Sequence, residues 1–196
     1  MKETVNMNFV VRTATTKGAN NSLRKEGYLP GNIYGKGIKP LSIAVKKDEI
    51  RKYLNKYGRN SIYQLENPSQ ETYTVMIKEV QVSPVNHEYH HIDFQHVILS
   101  EEIKTEVLIK ITGTEILDSK RLFLNRQLDT VLVSGLPQNI PDNIEIDVSN
   151  LSAGETVKIG DLKLPDGIQL ELAAEQVILS ASESKGQEVT ETEEAE

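Results

Sequence analysis

The chain has 196 residues, 38% of them hydrophobic, which is enough for one large domain or two small ones; with 5% aromatics and no Trp, the core must be built from Ile, Leu and Val. The absence of cysteine excludes disulfides, thiolate nucleophiles and thiolate metal sites, and neither the charged, alternating start MKETVNMNFVV nor any later run reads as a signal peptide or a membrane span, so a cytoplasmic protein with no membrane partner is expected. The net charge of −7 hides a segregation: up to Arg59 there are 13 Lys+Arg against 4 Asp+Glu, a net of +9, and the remainder holds 9 against 25. A basic N-terminal module attracts phosphate locally whatever the average; the bland alternative is a solvated lysine-rich face.

Val5 to Arg12 places Val, Phe and Val among Asn and Thr and predicts a first strand. Thr13 to Asn21 (TATTKGANN) reads as a polar loop with Lys17 and Gly18 near its centre, and Ser22 to Glu26 as a short helical turn stopped by Gly27. GYLPGNIYGKG predicts turns at Pro30-Gly31 and Gly35–Gly37 with a short strand between them. Leu41 to Val45 alternates as a half-buried strand should. Asp48 to Tyr57 is the clearest helix: Asp48 is the expected N-cap, Gly58 the stop, and Ile50, Tyr53, Leu54 and Tyr57 fall at i, i+3, i+4 and i+7 on one face.

Ser61 to Leu65, Thr72 to Val82 and Glu88 to Val97 read as further strands, with turns at Asn67-Pro68-Ser69 and Ser83–Asn86. Beyond Leu99 the pattern is strand after strand: Glu102 to Thr112, Phe123 to Val133, then short runs at Ile144–Val148, Thr156–Ile159, Gln169–Leu172 and Gln176–Ala181. With no amphipathic helix among them, they predict a β-sandwich or barrel. From Ser182 the composition is that of a disordered acidic tail. The expected division is 1–97, 98–182 and 183–196.

All four histidines lie between His87 and His96, with Asp93 among them. In an extended strand His90 and His91 point to opposite faces, so they cannot chelate together; His91 and Asp93 share a face, but two ligands make no metal site. General acid–base chemistry by the same pair lacks any accompanying nucleophile motif. Two solvent-facing polar residues, or a nucleic-acid contact in which the carboxylate accepts from base amino groups and the imidazole donates, accepts or stacks, remain. The glycines around Tyr34 match neither a P-loop nor a dinucleotide fingerprint. Tyr34 itself is either a half-buried strand tyrosine or an exposed ring for RNA. Arg12, Lys17 and Arg24 gain interest from preceding the same small sheet.

Together these pieces resemble one family. VRTATTKGANNSLRKEGYLPGNIYG is similar to the N-terminal signature of the 5S-rRNA-binding protein twenty-five of the bacterial large ribosomal subunit, in its longer form known as general stress protein CTC. HHIDFQHV (His90 to Val97) resembles the segment that closes that domain, and LPQNIPDNIEIDVSNLSAGETVKIGDLKLPDGI resembles a block of the family's C-terminal β-domain. The resemblance covers residues 5 to about 182. It implies a mainly β protein: an N-terminal six-stranded β-barrel with short helices, an all-β C-terminal domain and the acidic tail.

The function implied is that of a structural constituent of the large subunit, with no catalysis, no cofactor and no metal, which binds loop E of 5S rRNA as a monomer within the ribosome. Its C-terminal domain would face neighbouring ribosomal proteins or solvent. The contacts carried over are Arg12, Lys17 and Arg24 to phosphates and groove edges, Tyr34 to the groove, and His91 and Asp93 to bases or riboses. Asn21 joins them by position: with Ser22 it stands where the family usually has basic residues. Glu115 to Lys120 (EILDSK) and Arg121 replace a glycine-rich loop of the family's β-domain. The alternative is a non-ribosomal stress or interaction protein that kept the fold with weakened RNA binding, which Asn21 and Ser22 favour.

Overall fold

The computed structural model describes residues 4–67, 71–119, 122–162, 164, 165 and 167–183. Strand β1 (Val5–Val11) buries Val5, Met7 and Phe9 and turns Asn6 and Asn8 outward, the period of two that a half-buried strand requires. Helix α1 (Lys17–Lys25), β2 (Tyr28–Gly35), β3 (Leu41–Lys46), α2 (Lys47–Tyr57), β4 (Tyr63–Glu66), β5 (Thr72–Val82) and β6 (Tyr89–His96) follow. The six strands close into a barrel in the order β1-β3-β2-β6-β5-β4. Two neighbour pairs are parallel, β1 with β4 and β2 with β6, and the others antiparallel. Closure leaves no unpaired strand edge and packs Phe9, Leu29, Ile43, Tyr63 and Phe94 inside, each at most 1% exposed. As the helical spacing required, α2 buries Ile50 and packs Tyr53, Leu54 and Tyr57 on the same core.

Three local expectations need correction. Lys17 to Asn21 is helix, not loop: Thr16 caps α1 by accepting from the Ala19 N–H at 3.4 Å, and the helix then runs to Lys25 before Gly27 turns the chain at φ 83°. Pro30-Gly31 is no turn, because β2 runs straight through it; a Cβ on Gly31 would lie 2.5 Å from the Ile92 carbonyl oxygen, so this glycine serves the close approach of β6. The turn at Lys36-Gly37 is where it was expected. Asp48 is not the cap of α2: Lys46 holds that place without a side-chain bond, while Asp48 and Glu49 sit in the first turn, where the helix dipole favours carboxylates. Pro84–Asn86 turns β5 into β6 as expected, whereas Pro68 and Ser69 lie outside the described residues.

After the barrel come β7 (Ile103–Thr112), α3 (Thr114–Ser119), β8 (Leu122–Arg126), β9 (Thr130–Gly135), β10 (Asn143–Asp147), β11 (Thr156–Lys158), a 3-10 turn (Ile159–Asp161), β12 (Ile168–Leu170) and β13 (Val177–Glu183). They form a four-stranded sheet, β10-β7-β9-β12, and a three-stranded sheet, β11-β13-β8. Phe123 to Val133 is therefore two strands in two sheets. The break falls where Gln127 and Leu128 both donate to the Ile178 carbonyl and Arg126 pairs with Asp129 at 2.7 Å, which together close a turn. The short helix α3 also departs from an all-strand pattern, and β13 includes Ser182 and Glu183; the rest of the expected tail lies outside the described residues.

The chain divides into two compact units. One runs to Val107 and takes in Leu132–Asn143 and Leu164–Glu171; the other comprises Leu108–Val131, Ile144–Lys163 and the chain from Leu172. Within the first, Asn60 is 3% exposed and donates to the carbonyls of Glu106 and Pro141, tying the polypeptide after the barrel to the end of α2.

Candidate nucleic-acid interface

Strand parity builds the site. Ile92 and Phe94 of β6 enter the core, so His91, Asp93 and Gln95 project from the outer surface. On the neighbouring β2, Leu29 and Ile33 point inward, and Asn32 and Tyr34 outward. Register places Asn32 opposite Asp93 and Tyr34 opposite Gln95. From the other sides β3 brings Ser42 opposite Asn32, and β5 brings Glu79 opposite Asp93 and Gln81 opposite His91. The result is a polar row across four strands.

Hydrogen bonds fix that row. The Ser42 hydroxyl donates to Asn32 Oδ1 at 3.2 Å, which leaves the Asn32 amide nitrogen to donate to His91 Nε2 at 3.5 Å. An imidazole that accepts at Nε2 carries its proton on Nδ1 when neutral. His91 is neutral near pH 7, because burial lowers its pKa below 6.5; the positive charges of Arg12 and Arg24 push the same way, against Asp93 and Glu79. With the ring neutral, the contact of His91 Nδ1 with Asp93 Oδ1, at 3.4 Å, is no ion pair, and although Nδ1 carries the proton the two atoms do not meet in hydrogen-bond geometry; Asp93 Oδ1 is shielded from water without a hydrogen-bond partner. An orphaned carboxylate oxygen is a costly feature for a free protein and a ready acceptor for a ligand donor. Tyr34 is 37% exposed, and desolvation together with the nearby Asp93 and Glu79 raises its pKa, so its O–H stays available as a donor.

The cations come from β1 and α1. Lys17, Asn21 and Arg24 fall at i, i+4 and i+7, one stripe of α1. Arg24 donates through Nε to the His90 carbonyl at 3.1 Å and through Nη1 to Asn21 Oδ1 at 3.0 Å. Arg12, just past β1, donates to the Ile43 carbonyl at 2.7 Å, the Gly31 carbonyl at 3.1 Å and Asn20 Oδ1 at 2.6 Å. Burial, and then the charge of Arg24, depress the Arg12 pKa. Two N–H groups of the Arg12 guanidinium lie outside these bonds.

Of the seven residues singled out from the sequence, Arg12, Asn21, Arg24, Tyr34, His91 and Asp93 form one connected surface; Lys17 stands exposed at the start of α1, one turn from Asn21. Sequence reasoning missed Asn20, Asn32, Ser42 and Glu79. Asn32 was legible in principle, as it lies two residues from Tyr34 and shares its face in any continuous strand. Chemically the surface offers guanidinium donors for phosphates beside a carboxylate acceptor and a phenol suited to base and ribose edges. Among the described residues, no group of three or more His, Cys, Asp or Glu side chains is placed to hold a metal ion.

Residues 7–94 match the Ribosomal L25p family, and residues 102–185 match the C-terminal domain of ribosomal protein TL5. Proteins described as large ribosomal subunit protein bL25 are similar along most of the chain. That of Lachnoclostridium phytofermentans is 51% identical over 193 residues, covering 98% of this chain and 100% of the relative. Those of Caldicellulosiruptor saccharolyticus and Desulforudis audaxviator are 38% and 35% identical, covering 93% and 86% of this chain and 90% and 82% of their own length.

Proposed function

The chain belongs to the ribosomal L25p family, in the form that carries a TL5-type C-terminal domain, and on that footing we propose that it binds 5S rRNA at loop E through the outer β2/β6 face and α1 of its barrel. Members of this family are structural constituents of the large ribosomal subunit, not enzymes. The observation that carries the RNA reading is Asp93 Oδ1: a shielded acceptor without a partner, framed by Tyr34 and His91 and flanked by Arg12 and Arg24. Non-canonical pairs in loop E leave a shallow, widened groove with base donors in reach, and such a surface can satisfy that oxygen while the guanidinium groups neutralise phosphates.

The barrel domain, residues 1–97, has 14 Lys+Arg against 9 Asp+Glu, so RNA affinity belongs there; the acidic remainder suits contacts with neighbouring ribosomal proteins. The protein acts as a monomer within the cytoplasmic ribosome, and among the described residues no helix is long and apolar enough to cross a membrane. Titrating the full chain against 5S rRNA, intact or with loop E replaced by Watson–Crick duplex, tests the proposal. Selective binding of the intact RNA is expected, and equal affinity for both would overturn it.

The second reading, a stress or interaction protein with weakened RNA binding, draws on Asn21 and Ser22, which supply no charge where the resemblance expects cations. Cosedimentation with large subunits across a salt gradient separates the two: release at low salt favours the second.

A further inference from the structure

Helix α1 is poorly anchored by apolar packing. None of its nine residues is buried. Its apolar residues, Ala19 and Leu23, face an open groove of about 360 Å³ whose other wall includes Val10, Val11 and Tyr28. Val10 is 52% exposed there. A nine-residue helix is too short to persist by propensity alone, so its placement must come from tertiary bonds. Two guanidinium latches supply such bonds among the described residues. Arg24 ties the last turn to the backbone of β6, and Arg12 ties the first half to β2 and β3 by joining Asn20 to the carbonyls of Gly31 and Ile43.

We propose that Asn20 is a positioning residue: by accepting from Arg12, it fixes where α1 presents Lys17 and Arg24 to RNA. The part concerning RNA rests on the function proposed above; the part concerning α1 does not. The 2.6 Å bond joins a neutral acceptor to a charged donor whose other two bonds go to backbone carbonyls, so the guanidinium has little freedom to follow a displaced helix. Asn20 itself needs no contact with the ligand for this role.

The test uses the full chain. In Asn20→Ala without RNA, amide hydrogen exchange should quicken within Lys17–Lys25 while β2, β3 and β6 keep their protection. Unchanged exchange in α1 overturns the inference whether or not the protein binds RNA. With 5S rRNA, Asn20→Ala should weaken binding about 5- to 20-fold and flatten the slope of log K against log salt, because Lys17 and Arg24 then ride on a helix held by one latch instead of two. A stability defect alone would leave the slope of the folded fraction unchanged. In an Arg12→Ala background, Asn20→Ala should add less than twofold; a full independent effect there would mean that Asn20 acts directly and not through Arg12. If wild type itself fails to bind 5S rRNA, the functional proposal fails, and the exchange arm still decides the role of Asn20.

Discussion

Replacing Asp93 by alanine should cost RNA selectivity without costing stability. In the free protein Asp93 Oδ1 is shielded and has no hydrogen-bond partner, and a buried acceptor left in that state costs about 1–3 kcal/mol. Against this stands any attraction of the carboxylate to the Arg12 and Arg24 charges, which act on the neighbouring His91. The Asp93 side chain is 21% exposed, and ion attractions near a surface are worth about 0–1 kcal/mol, so the desolvation cost is the larger. Asp93→Ala should therefore leave the unfolding free energy unchanged or raise it by up to about 2 kcal/mol, read as a urea midpoint that holds or rises at constant m-value. With RNA the balance reverses. A carboxylate bond to a base donor is worth about 1–3 kcal/mol of discrimination, so the ratio of affinities for intact and loop-E-replaced 5S rRNA should fall roughly 5- to 150-fold. Affinity for the replaced RNA should hold or rise, since a negative charge has been removed beside the phosphates. The salt slope should not change, because no cation is lost. The reasoning is refuted if the folded variant keeps the wild-type ratio, or if it loses more than about 1 kcal/mol of stability, which would mean that Asp93 serves the fold.

Three further outcomes follow from the same geometry. Gly31→Ala places a Cβ 2.5 Å from the Ile92 carbonyl oxygen and must part β2 from β6; a loss of about 1–3 kcal/mol in denaturant titration is expected, and a neutral result would show that the strands yield freely. Asn21→Arg adds a cation but removes the acceptor that steadies Arg24, so its salt slope should steepen by less than the roughly 0.7–0.9 of a full phosphate contact; an unchanged slope across several salt concentrations means that position 21 does not face RNA. His91 has a folded-state pKa depressed below 6.5, so the unfolded chain binds the proton first; its stabilising contribution is complete above about pH 6.5 and is lost as pH falls through the folded value. His91→Gln should accordingly flatten the decline in unfolding free energy on the acid side of pH 6.5, and identical profiles for the two proteins would assign that decline to other groups.

What could be read from the sequence was whatever periodic burial writes into it. The bounds of β5 coincide with the expected Thr72–Val82, and the face of α2 was visible in Ile50, Tyr53, Leu54 and Tyr57, because alternation and helical spacing both record which side meets the core. Helix α1 buries nothing, so it leaves no such record; it is held by the Thr16 cap and by arginine bonds whose partners lie 8 to 66 residues away. Glycine added a different ambiguity. Gly31 reads as a turn locally, and only its pairing with Ile92 shows that it serves strand approach instead.

The site divides along the same line. His91 and Asp93 were placed on one outer face by strand parity alone, but the state of each is set from other strands. The tautomer of His91 depends on Asn32 and, behind it, Ser42, while the orphaned oxygen of Asp93 depends on what β2 and β5 fail to offer it. Parity fixes which residues can meet a ligand; what they offer it is decided by neighbours distant in the chain. The same holds for Arg12. Its position marked it as a cation for phosphate, yet three of its five N–H groups bind this protein, so much of its charge is spent in positioning the helix that carries Lys17 and Arg24.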